Sequence, residues 1–111
     1  MTTPGRQTVY RLRASTAEDS HGNDVENWTD PNRKAIRGCA VEPGAPQEYL
    51  IGRDANRVQW FVMAPLGADI KATDRVEWQG ITYEVSGQPA PWPSDSGRLD
   101  YLAVVLQTWN G

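Results

Sequence analysis

The stretch Asp74–Val85, DRVEWQGITYEV, constrains this chain more than any other. Val76 and Trp78 alternate with Arg75 and Glu77 on a first arm. Ile81, Tyr83 and Val85 alternate with Thr82 and Glu84 on a second. Period-two patterning of this kind gives each arm one apolar and one charged face, the signature of half-buried strands. Gln79-Gly80 between them predicts a two-residue hairpin. Its type I′ turn needs φ > 0 at both positions, which Gly accepts freely and Gln accepts less well.

A chain of 111 residues has room for one domain with one core. Ten Gly, eight Pro and a 39% apolar share point to a small, loop-rich β domain. Such a domain has an expected radius of gyration of roughly 13 Å. Five Trp and four Tyr against one Phe favour surfaces where one end of a ring stays wet. The net charge of −3, with charges interspersed, lacks the basic excess of a free-standing nucleic-acid binder. A local basic face around Arg6, Arg11 and Arg13 competes with a plain solvated strand face.

Residues 1–7 are polar, contain Pro4-Gly5 and read as a flexible N-terminal arm, with a single domain over 8–111. Six strands are predicted near residues 8–13, 35–41, 57–64, 74–78, 81–86 and 99–108, with Gly38 marking a bulge in the second. In the third, Val58, Trp60 and Val62 fall on one face and Phe61 and Met63 on the other. That predicts burial on both sides or a subunit contact. In the last, Leu102, Val104 and Leu106 oppose Tyr101, Ala103 and Val105. The expected architecture is all-β, a small antiparallel barrel of about six strands with long loops.

Three irregular segments join these strands. Residues 14–34 read as a long hairpin excursion, with its turn at His21-Gly22-Asn23, a breaker pair at Asp30-Pro31 and Trp28 anchoring the return. Residues 42–56 carry Pro43, Gly44 and Pro46 and then an apolar cluster, Tyr49-Leu50-Ile51. That cluster either folds back on the core or contacts another chain. Residues 86–97 form a Pro-stiffened loop presenting Trp92 between Pro91 and Pro93, to dock on the barrel or reach a neighbour.

No catalytic constellation stands out. With one Cys and one His there is no internal disulfide, no thiolate cluster and no His pair for zinc. Cys39 reads as a small buried hydrophobe and His21 as a turn residue. There is no phosphate-binding Gly run, no apolar stretch of membrane-spanning length and no signal-peptide core. No cofactor or metal is expected, and the chain reads as a non-enzyme.

The order of these features resembles the head-closure proteins of long-tailed bacteriophages, also called head-tail joining or stopper proteins. The resemblance spans nearly the whole chain. A first strand ends in Arg11-x-Arg13, and an excursion carries Asp19, Gly22, Asn23 and Trp28. Val41, Pro43 and Glu48 follow, then Pro65 and Gly67, the 74–85 hairpin, and Gly87, Pro89 and Trp92. The resemblance implies a structural virion protein of the phage neck, assembled in the host cytoplasm as a homo-oligomeric ring of twelve or six copies. The ring would sit between portal and adaptor above and tail or tail-terminator proteins below, retaining packaged double-stranded DNA. By position the channel loop would lie in residues 42–57, with Glu48, Tyr49, Leu50, Ile51, Gly52, Arg53 and Asp54 as candidates for channel or subunit contact. The apolar Tyr49-Leu50-Ile51 departs from a clean channel plug and suits subunit packing. Candidate interface residues are His21, Asn23, Trp28, Pro91, Trp92 and Pro93. The competing expectation is an OB-like module that binds single-stranded nucleic acid by stacking in a basic groove.

Overall fold

The computed structural model of the chain describes residues 4–18, 20–44, 57–92 and 101–109. Among them are seven strands and no helix: β1 (Gln7–Glu18), β2 (Asp24–Pro43), β3 (Val58–Pro65), β4 (Arg75–Trp78), β5 (Ile81–Val85), β6 (Ala90–Trp92) and β7 (Tyr101–Thr108). All pairings are antiparallel, in the order β3-β2-β1-β4-β5-β7-β6. A further β3–β7 pairing closes six of the strands into a ring. The expected all-β fold with a six-stranded closed sheet is thus the one found. The seventh strand, β6, shares an edge of β7 with β5. It pairs with Tyr101–Ala103, and β5 pairs with Leu106–Thr108.

The 74–85 hairpin forms as its pattern dictates. Trp78 pairs with Ile81 across a two-residue turn, and Gln79 and Gly80 have φ of 52° and 80°. These are the two positive angles of a type I′ turn, whose twist matches that of the flanking strands. Val76, Trp78, Tyr83 and Val85 are buried. Ile81 shares their face but is 56% exposed, because it sits at the turn, past the end of the core.

The main core fills the ring with Val9, Ile36, Cys39, Val62, Val76, Val104 and Leu106 among others. Trp60 packs edge-on against Trp78, with centroids 6.4 Å apart, and its indole N–H donates to Tyr83 Oη at 3.0 Å. β3 and β7 are buried on both faces. A second cluster of Val58, Phe61, Ala103 and Val105 lies on their other side, with Phe61 2% exposed. Val58 corrects the parity expected from sequence. It belongs with Phe61 rather than with Trp60 and Val62, because a register shift between Val58 and Trp60 inserts one residue and turns Val58 to the opposite face.

β1 and β2 extend well past the strands expected at 8–13 and 35–41. Residues 14–32 continue as a two-stranded ribbon closed by Glu18 against Asp24. Asp30-Pro31 does not end β2. Between the pairs Arg13–Asn32 and Ser15–Asn27 the strand absorbs its extra residues as an irregularity. A second shift, between the pairs Gln7–Cys39 and Val9–Ile36, coincides with Gly38 at φ 78°, the bulge that Gly38 signals in the sequence. Of the expected N-terminal arm, Gly5 donates from its N–H to the Gly38 carbonyl at 3.1 Å, and Gln7 already belongs to β1. A Cβ on Gly5 would run into the backbone carbonyl of Cys39, so this close approach requires glycine. The radius of gyration of 14.9 Å and extents of 53 × 32 × 24 Å exceed those of a compact domain of this length.

Asn tolerates the left-handed region better than Gln does. Gln79→Asn is therefore expected to stabilise the fold by about 0.5 kcal/mol, read as a rise in the midpoint of chemical unfolding with an unchanged slope.

Candidate functional site

The ribbon is rooted in a cluster of charges. Val9, Arg11 and Arg13 share one face of β1, and that face runs from the core, where Val9 is fully buried, to the end of the closed sheet. Arg11 is only 5% exposed, because its aliphatic stem continues the core while its head reaches polar partners. Those partners come from the turn between β3 and β4. Arg11 Nη1 donates to Asp69 Oδ2 at 3.0 Å and to the Asp69 carbonyl at 3.2 Å, and Nη2 donates to Asn32 Oδ1 at 2.6 Å. Arg13 binds two carboxylates, each with two N–H groups. Asp74 accepts at 2.9 and 2.8 Å, and Asp69 at 3.0 and 3.1 Å. Two-pronged guanidinium–carboxylate pairing of this kind is directional as well as strong.

Asp74 has a 1% exposed side chain and also accepts from the Lys71 N–H at 2.8 Å, while its own N–H donates to the Lys71 carbonyl at 3.0 Å. One carboxylate thereby fixes the turn before β4 and the base of the ribbon together. Hydrogen bonds to Asp74 and then Asp69 raise the Arg13 pKa further above its already high value. Hydrogen bonding from Arg13 holds the Asp69 carboxyl below the ordinary carboxylate range. The basic face considered around Arg11 and Arg13 is therefore replaced by a neutralised internal network.

Stacked cations add a second clamp. The Arg75 guanidinium lies 3.8 Å from the ring centre of Trp28 and 4.3 Å from that of Trp109. Arg33 lies 3.7 Å over Tyr10 and donates to Glu77 Oε1 at 2.7 Å, which raises its pKa. In contacts of this type the cation is drawn to the negative face of the ring. Trp28 thus anchors the returning arm, as its position suggested, and its indole N–H donates to Glu26 Oε2 at 3.1 Å. Beyond this root the ribbon stands in solvent: Thr16, Glu18 and residues 20–26 are exposed.

His21 and Asn23 lie together at the ribbon tip and Trp28 lies at its root. Pro91 is exposed in β6, an edge strand that tolerates proline. Trp92 pairs by its backbone with Tyr101. β6 rests on β7, with β3 between β7 and β2, so the two sets of interface candidates occupy different parts of the sheet. Pro93 and the candidates Glu48, Tyr49, Leu50, Ile51, Gly52, Arg53 and Asp54 lie outside the described residues.

Sequence reasoning missed Asp69, Asp74 and the Arg75 clamp. The available signal was the parity of Arg11 and Arg13 with Val9, which places both guanidinium groups on an inward face and demands carboxylates. Two clefts flank the root, one of about 270 Å³ lined by Arg13, Ser15, Glu26 and Asp74, the other of about 250 Å³ beside Trp28, Arg75 and Glu84. Among the described residues no group of three or more His, Cys, Asp or Glu is placed to hold a metal ion. Cys39 is fully buried, its thiol donates to the Ile36 carbonyl at 3.4 Å, and burial pushes its pKa up to about 11. It is therefore packing material and not a nucleophile. No helix among the described residues is long and apolar enough to cross a membrane.

No family model and no curated protein sequence matches the chain. Among solved structures it is similar to the solution structure of protein SF1141 from Shigella flexneri 2a. The TM-score is 0.61 at 18% identity, over 96% of each chain. At that identity the likeness is one of fold.

Replacing Asp74 by Asn removes the charge that both secures Arg13 and fixes the turn. The expected loss is about 2–3 kcal/mol of unfolding free energy, below the full penalty of a buried pair because Arg13 retains partial solvent contact. Acid should act through Asp69. Its folded-state pKa is depressed, so its contribution is complete above roughly pH 4 and is lost as pH falls through the depressed value. Melting temperatures measured across that range should fall less steeply in Asp69→Asn than in the parent.

Proposed function

We propose that the chain is a structural subunit of the phage neck, one of a ring of copies that closes the filled head beneath portal and adaptor and receives the tail. The observation that carries this reading is the ribbon. From Thr16 to Glu26 the two arms pair only with each other among the described residues, and Thr16, Glu18 and residues 20–26 stand exposed. An isolated two-stranded ribbon is of marginal stability in water, so a long one on a stable closed sheet is suited to completion by a neighbouring subunit. The order of motifs along the chain, from Arg11-x-Arg13 through Trp28 and the 74–85 hairpin to Trp92, supports the same reading through its resemblance to the head-closure proteins.

Charge supports it as well. A wall of net charge −3, whose Arg11 and Arg13 are paired with carboxylates, does not hold a polyanion tightly, which suits a channel through which DNA slides. The OB-like alternative needs a basic groove. Of the arginines considered for one, Arg11 and Arg13 are committed to Asp69, Asp74 and Asn32, and the groove that Lys34 and Arg37 flank has, among the described residues, no aromatic ring in its lining on which a base could stack.

The test is electron microscopy of lysates after disruption of this gene in the phage that carries it. The expected result is free tails beside heads that have lost their DNA. Normal infectious particles would overturn the reading and move single-strand binding to the front.

A further inference from the structure

Charge along the ribbon and its continuation is sharply segregated. Between Ala14 and Pro31 there are five acidic residues and no Lys or Arg. Of these, Glu18, Asp24 and Glu26 are exposed, and among the described residues none of the three is in an ion pair. The next stretch of β2 reverses sign with Arg33, Lys34 and Arg37. Arg33 is taken by Glu77. Lys34 and Arg37 are exposed and enter no ion pair among the described residues.

These two cations flank a groove of about 440 Å³. Its walls are Lys34, Ile36 and Arg37 of β2 and Pro65, Leu66 and Ala68 of the turn after β3. Leu66 is 42% exposed. Asp69 at the margin already receives Arg11 and Arg13 and so does not offset the positive rim. The backbone here is open as well. β2 pairs with β3 only from Ala40 to Pro43, so the outer edge from Lys34 to Arg37 has no strand partner among the described residues. An open edge beside an apolar groove is the arrangement that accepts an added strand.

The ribbon tip has the complementary properties: acidic residues on both arms and Val25, 43% exposed, between Asp24 and Glu26. It cannot enter its own groove. Val25 and Ile36 lie on one continuous strand, which separates them by roughly 30 Å at the usual rise per residue. We propose that the acidic tip of one copy docks in the groove of the next, with Val25 against Leu66 and Asp24 and Glu26 facing Lys34 and Arg37. This deepens the neck reading and rests on it. It joins two different patches of one surface, and such a heterologous contact propagates into a closed ring when the rotation per copy allows.

The experiment uses the full chain carrying Val25→Cys and Leu66→Cys together. The native Cys39 is buried and does not compete. Concentrated protein is oxidised at low ionic strength and resolved on non-reducing gels, and the linked peptides are identified by mass spectrometry. A ladder of covalent oligomers joined through positions 25 and 66 is expected, fading in high salt. Adding Lys34→Glu and Arg37→Glu should reduce the ladder at least tenfold, and further adding Asp24→Lys and Glu26→Lys should restore it. Thermal melting of each variant establishes that it is folded. Folded protein with no 25–66 link, or with only 25–25 dimers, overturns the contact. A ladder indifferent to charge reversal overturns its electrostatic recognition. Either failure is separable from failure of the neck reading, which is judged on particle morphology alone. Normal particles with an intact ladder sink the function and leave the contact standing.

Discussion

A carboxylate taken out of water must find partners for both oxygens or lose its charge. Asp74 meets that demand with the guanidinium of Arg13 and the N–H of Lys71, and the rest of the molecule is arranged around the result. Lys71 belongs to the turn that delivers the chain to β4. Arg13 belongs to the last part of β1 before the ribbon leaves the sheet. Holding these two points together sets the register of β1 against β4, where Leu12 meets Arg75. It also fixes the direction in which the ribbon departs. Asp69 and Arg11 extend the lock, and the Trp28–Arg75–Trp109 stack braces it from outside. Direction is the quantity that a projecting element needs most, and charge pairs with fixed geometry provide it better than apolar contact does.

Two kinds of information in the chain were unequally readable. Strands whose two faces differ announced themselves. The 74–85 hairpin carries its pattern, its turn and its register in twelve consecutive letters, and the two faces of Tyr101–Thr108 sorted correctly. What misled was anything that depended on partners distant in sequence. Residues 14–34 read as a hairpin excursion turning at His21-Gly22-Asn23, and a ribbon does pair there; what its Ser, Asn, Asp and Pro content hid is that the two arms continue β1 and β2. Polar composition there marks exposure on both faces, not absence of pairing. Val58 changed sides because a single inserted residue inverts parity, and no local letter signals that insertion. Of the candidate site, the anchoring role of Trp28 was legible, whereas Asp69 and Asp74 were invisible as partners because they lie 56 and 61 residues from Arg13.

The division between closed sheet and ribbon is also a division of constraint. Among the described residues, every buried hydrophobic one lies at Val9 or between Ile36 and Leu106, and none falls in 14–32. Core stability therefore leaves the composition of the ribbon almost unrestricted. Against that freedom, its one-signed charge and its aromatic brace at the root are properties that folding alone does not demand. The likeness to SF1141 at 18% identity fits the same division, since a closed antiparallel sheet of this kind is specified by patterning and turns more than by particular side chains.

β7 has a consequence for how the molecule comes into being. It is the last of the seven strands to be synthesised, it pairs with β3, β5 and β6, and it brings Leu106 and Val104 into the centre of the core. Until it arrives, β3 and β5 each lack a neighbour and the sheet is an open sheet with two bare edges. The growing chain on the ribosome therefore cannot close its sheet before this strand is made. Its native topology is reached in one late step, dominated by contacts between distant residues, and topologies of that kind fold slowly. During that interval the exposed edges are the ones that chaperones or sister chains would meet first.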